Sequence, residues 1–235
     1  MRGTKRLFTY LLVPGVLITV LACTLPSIPG ATEAPDIEGP SEDGPTETII
    51  NGSMVDQVTS VSEGDTIGPI LQVQITNPTT GEVVAVIPCG LVFRPTGGDE
   101  QALMVIQEII VAIPGGETVT VKPYVVCIET SSATPASGSD YQIGEMTTGN
   151  LLKFAECLCD EELPESMTSG PTAFQDIFGV QMAVWVVADN IAFDDVLSGG
   201  EGAAGDMEQI LGPMMDILES TSQEWLEKCD LEIQP

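Results

Sequence analysis

The stretch LQVQIT, residues 71–76, decides how the chain is to be read. Leu71, Val73 and Ile75 fall on one side of an extended backbone, and Gln72, Gln74 and Thr76 on the other. A period of two over six residues is the mark of a strand with one dry face and one wet face. TVTV at 118–121 repeats it, and from Thr46 to about Glu129 it is the dominant period. Turn signals separate the runs: NPTTGE at 77–82, RPTGGDE at 94–100 and PGGE at 114–117. Their spacing predicts that successive strands fold back as antiparallel hairpins. EVVAVIPCGLVF (82–93) and ALMVIQEIIVAI (102–113) are almost continuously apolar, as strands in the middle of a sandwich are. An antiparallel β-sandwich or small barrel follows.

Beyond Glu129 the texture changes. SSATPASGSD (131–140) reads as a polar loop, and three segments then favour helix: 150–163, 171–190 and 206–229. In the last, Met207, Ile210, Leu211, Met214, Leu218 and Trp225 keep a helical stripe, while Gly212-Pro213 should kink or break it near its start. No internal repeat and no second linker is visible. The predicted class is α+β: an antiparallel β-sandwich followed by a helical segment packed on it, as one ectodomain over 46–235.

The N-terminus fixes the expected compartment. MRGTKR carries three basic residues and LFTYLLVPGVLITVLA (7–22) is uncharged and apolar, the pattern of a signal peptide over 1–22. VLAC at 20–23 resembles the lipobox of bacterial lipoproteins, with Leu21 where a small residue is more usual, and the resemblance implies lipidation of Cys23. An uncleaved membrane anchor is the alternative, and both put the remainder outside the cytoplasm. Residues 23–45, rich in Pro, Gly, Ser, Thr and acid, read as an extended tether. The first 22 residues hold three of the seven basic residues and none of the 35 acids, so the mature chain has four basic residues against 35 acids and a net charge of −31. Such a charge argues against nucleic acid and anionic lipid head groups as partners and suits a basic target, divalent cations, a salty medium or plain solubility.

The chain has no histidine, which removes Ser-His-Asp and Cys-His catalysis and most metal-dependent hydrolases. An enzyme of conventional type is not expected, and neither is a cofactor. Acid pairs such as Asp194-Asp195 and Glu161-Glu162 read as solvated surface, with a catalytic carboxylate pair or a calcium site as the alternative. Six cysteines are present, Cys23, Cys89, Cys127, Cys157, Cys159 and Cys229; the spacing of Cys157 and Cys159 is too tight for paired zinc ligands. In an oxidising exterior most should pair, yet lipidation of Cys23 leaves an odd number.

QMAVW, Gln181 to Trp185, is similar to the T-Q-x-A-[IV]-W signature of the thioester domains of bacterial surface adhesins, and VCI at 126–128 is like their aromatic-Cys-apolar motif. The resemblance spans roughly Tyr124 to Asn190. Val180 stands where that family has threonine, Val126 where it usually has an aromatic residue, and the preceding β region is unlike the family's. The resemblance implies an internal thioester with Cys127 as acyl acceptor and Gln181 as acyl donor, open to attack by an amine on a target surface. Trp185, one helical turn beyond Gln181, would shield it from water. A thioester would also leave four cysteines, enough for two disulfides. The competing expectation is a non-covalent binding or structural surface lipoprotein in which Cys127 is disulfide-bonded, to Cys89 for example, and Gln181 caps a core edge.

Overall fold

A computed structural model describes residues 46–50, 57–166, 168–198 and 214–231. The expected signal peptide, Cys23 and the expected tether lie outside the described residues, as does the start of the last predicted helix. The chain divides into the units Met1–Glu42 and Asp43–Pro235, and every described element belongs to the second.

Eleven described strands form two sheets. They are β1 Thr46–Ile49, β2 Val58–Ser62, β3 Ile67–Gly68, β4 Leu71–Thr76, β5 Val83–Ile87, β6 Leu91–Pro95, β7 Leu103–Val105, β8 Ile109–Ile113, β9 Thr118–Val121, β10 Val125–Cys127 and β11 Asp140–Met146. The larger sheet has eight strands in the order β3-β10-β7-β6-β11-β2-β4-β9, every neighbouring pair antiparallel. The smaller has the order β1-β5-β8. LQVQIT is β4, and Leu71, Val73 and Ile75 are buried as their alternation requires. They share an inter-sheet core with Ala85 and Ile87 of β5, Ile113 of β8, and Leu91 and Phe93 of β6. The class is α+β, a sandwich-like β part with helices on it.

Three features differ from the sequence reading, each for a physical reason. The two long apolar runs are each two strands, β5 with β6 and β7 with β8, and each run crosses from one sheet to the other. Both faces of β5 and β8 carry apolar residues, including the exposed Ile110, so periodicity cannot mark the crossing. Of the three turn signals only 94–100 closes a hairpin between paired strands, β6 and β7. The turns at 77–82 and 114–117 connect the sheets and are held against each other: Asn77 Nδ2 donates to the carbonyls of Gly81 (2.8 Å) and Ile113 (2.9 Å), and the Gly116 N–H donates to the Asn77 carbonyl at 3.0 Å. Finally, β1 runs parallel to β5, and β11 follows the polar loop where no strand was expected.

The described helices are α1 Gly149–Cys159, α2 Ala173–Asp189, α3 Phe193–Ser198 and α4 Met215–Lys228. The short α3 was not anticipated. The described part of the last segment is helical over Met215–Lys228, and Gly212-Pro213, where the break was expected, lies outside the described residues. Residues 177–186 of α2 are buried without exception. Met182, Trp185 and Val186 join the inter-sheet core, whereas Ile177, Val180, Ala183 and Val184 join a second core with α1, α4 and the other face of the large sheet. A helix clasped on all sides has no polar face, which accounts for the apolar run in its sequence. Gly179 permits the α4 contact, because a Cβ there would lie 2.5 Å from Thr221 Cγ2.

Candidate functional site

Cys127 ends β10, and Gln181 is mid-way along α2; both are fully buried. The fold brings these residues, 54 apart in sequence, into direct contact. The Cys127 N–H donates to Gln181 Oε1 at 3.0 Å, and Gln181 Nε2 donates to the Cys127 carbonyl at 2.7 Å. The side-chain amide thus pairs with the backbone of β10 much as another strand would. The Cys127 N–H is shared, since it also donates to the Thr66 carbonyl at 3.1 Å just before β3. Gln181 is therefore no incidental polar residue: both ends of its amide are satisfied, as full burial demands.

The thiol of Cys127 is unpaired. Cys89 is bonded to Cys159 and Cys157 to Cys229, with Cα separations of 6.0 and 5.6 Å. Pairing of Cys127 with Cys89 therefore does not occur, and the expectation of a disulfide at Cys127 is corrected. The reason is geometric: Cys127 faces the inter-sheet core, while both bridges gather at the last turn of α1. Burial pushes the Cys127 thiol well above its ordinary pKa, and the carboxylates of Asp65 and Glu129 push it the same way. An unmodified thiol here stays protonated at neutral pH and is a poor nucleophile toward solutes.

Trp185 is fully buried one turn beyond Gln181, and its indole N–H donates to Gln101 Oε1 at 3.1 Å. Gln101 is itself fully buried and is the most connected side chain of the site. Its Nε2 donates to the Ser132 carbonyl at 3.2 Å, its Oε1 also accepts the Glu129 N–H at 3.4 Å, and its backbone carbonyl accepts the Tyr141 hydroxyl at 3.0 Å. Burial, then the neighbouring Glu100 carboxylate, raises the Tyr141 phenol far above its usual range. Comparison with family models, with curated proteins and with solved structures gives no match. The site has to be interpreted from its own geometry.

The sequence reading missed Gln101 and Tyr141. A signal for Gln101 existed, a lone amide opening the apolar run at 102–106, the same kind that drew attention to Gln181. Tyr141 gave none, because β11 itself was not anticipated. Of the acid pairs, Glu161 forms an ion pair with Lys228 at 2.5 Å and Asp195 is exposed on α3. Among the described residues no group of three or more His, Cys, Asp or Glu side chains is arranged to hold a metal ion. No described helix is long and apolar enough to cross a membrane.

Proposed function

We propose that this chain is a surface lipoprotein that attaches covalently to amine groups of a target through an internal thioester between Cys127 and Gln181. The observation that carries the proposal is the contact between the amide of Gln181 and Cys127, the one unpaired cysteine among the described residues. In the condensation the Cys127 sulfur attacks Gln181 Cδ, a C–S bond forms, the C–Nε2 bond breaks, and ammonia leaves carrying the thiol proton. Charge develops on Oε1, which already accepts the Cys127 N–H at 3.0 Å, a fixed donor of the kind that stabilises an oxyanion. Full burial of Cys127, Gln181 and Trp185 keeps hydrolytic water away from the product.

An incoming primary amine attacks the same carbon, expels the Cys127 thiol and ends in an amide at Gln181. The strongly acidic mature chain favours a basic, lysine-bearing target surface over nucleic acid. Two disulfides agree with an extracytoplasmic location, and lipidation at Cys23 would supply the membrane attachment. The second reading, a non-covalent binding or structural lipoprotein, draws on the same pair of hydrogen bonds, because an amide so paired clamps α2 to β10 without reacting. Intact-mass analysis of the purified ectodomain separates the two. The thioester requires one ammonia less than the disulfide-corrected sequence mass and uptake of methylamine at Gln181. A full sequence mass with a free thiol at Cys127 leaves the clamp alone.

A further inference from the structure

We propose that the Cys89–Cys159 disulfide and the parallel β1–β5 pair make this ectodomain a tension-resistant link between its anchored N-terminal side and a target captured at Gln181. The inference rests on the reading above, which puts one attachment before Thr46 and the other on α2. A covalently captured target transmits pull through the protein, so the covalent path between these points decides how far the domain can be drawn out.

That path is short. Going from β1 toward Gln181, the chain reaches Cys89 two residues after β5 and crosses directly to Cys159 at the end of α1. The bridge spans 70 residues, and β6 to β11 with Cys127 all lie inside the bypassed loop. Pull between the two attachments cannot extend that loop while the disulfide is intact. The Cys157–Cys229 bridge closes no loop within the stretched span. It ties α1 to the end of α4, which packs on α2 and whose Ser222 Oγ donates to the Gly179 carbonyl at 2.9 Å.

The orientation of β1 completes the device. In register Thr46 pairs with Val83 and Ile49 with Val86, so the N-terminal end of β1 lies beside the N-terminal end of β5. Pull enters at the N-terminal end of β1 and leaves β5 at its C-terminal end, toward Cys89. The two strands are drawn in opposite directions along their axes, and their hydrogen bonds are strained together instead of one after another. An antiparallel partner in the same place would be unzipped. The Ile50 N–H donates to the Val86 carbonyl at 2.8 Å, and the alternation of a parallel ladder makes the Thr48 N–H the preceding donor toward β5.

Single-molecule stretching of the full chain tests this, with one handle at the N-terminus and the other on a Gly170→p-azidophenylalanine variant. A Cβ at Gly170 meets no atom within 4 Å, and the position lies on the same side of Cys159 as Gln181. The protein is treated with methylamine first, so that no Cys127–Gln181 link shortens the path between the handles, and failure of the mass experiment and failure here are separate outcomes. The oxidised protein should unfold to an extension about 250 Å shorter than the reduced protein, the length of 70 residues at ~3.6 Å each. Adding reductant to the folded protein and testing the Cys89→Ser/Cys159→Ser variant should give the same gain in length. Thr48→Pro should lower the first rupture force several-fold, since rupture under load follows the unfolding barrier. Equal extensions before and after reduction, or a rupture force that Thr48→Pro leaves unchanged, would overturn the proposal.

Discussion

Opening the proposed thioester with methylamine would remove one covalent link and restore one amide donor, so its effect on stability can be worked out in advance. The link would join residues 54 apart and constrain the unfolded chain as a disulfide of that span does. For a loop of this length the chain-entropy relation gives about 4 kcal/mol, and overlap with the Cys89–Cys159 loop lowers this to about 3–4 kcal/mol. The thioester has lost Nε2 as ammonia, so the methylamide N–H restores a donor to the Cys127 carbonyl, worth about 1 kcal/mol, while its oxygen still accepts the Cys127 N–H. Urea unfolding before and after treatment should therefore show a lower midpoint by the equivalent of about 2–3 kcal/mol. The denaturant dependence should also steepen, because the opened chain exposes more surface when unfolded. Mass analysis of the same samples reports the adduct at Gln181. Superimposable unfolding curves for a sample that has gained methylamine would refute the argument that the link restrains the unfolded chain. Curves that superimpose with no adduct would refute the link itself.

Three further outcomes follow from the same geometry. Trp185→Phe keeps a ring in the core but deletes the N–H bonded to Gln101, costing about 1 kcal/mol, and should speed loss of the ammonia-deficient species in time-resolved mass spectra. In Gln181→Ala the thiol persists, with a folded pKa above its ordinary 9.0; the unfolded state then releases its proton first, so stability is full below about pH 9 and falls as pH rises. The untreated protein should lack this decline in the window from 9.0 to the phenols' ordinary 10.0, as read by denaturation at stepped pH. Gly179→Ala should lower stability by about 1–3 kcal/mol in thermal unfolding, since its Cβ would sit 2.5 Å from Thr221 Cγ2 and 2.9 Å from Thr221 Cβ and force α2 and α4 apart.

The residues that announce elements by local pattern were legible. Alternation gave β4 and β9 their class, and the first two helical segments appear near their expected bounds. The two residues at the centre of the site stood out for a local reason too, an amide inside an apolar helix and a cysteine left over by counting. What the sequence by itself determined is therefore the inventory: α+β class, order of the parts, and a Cys, a Gln and a Trp set among apolar neighbours. Tertiary structure decided which of them meet. The hydrogen bonds between Cys127 and Gln181 span 54 residues, the Trp185 bond to Gln101 spans 84, and the disulfides span 70 and 72. No local pattern encodes such separations, because a partner's identity depends on which strands become neighbours when the sheet curls. The parallel β1–β5 pair, the crossing of each apolar run between sheets, and β11 after a polar loop belong to the same class of fact. An apolar residue buried in either sheet looks the same in sequence, and only the assembled core distinguishes them.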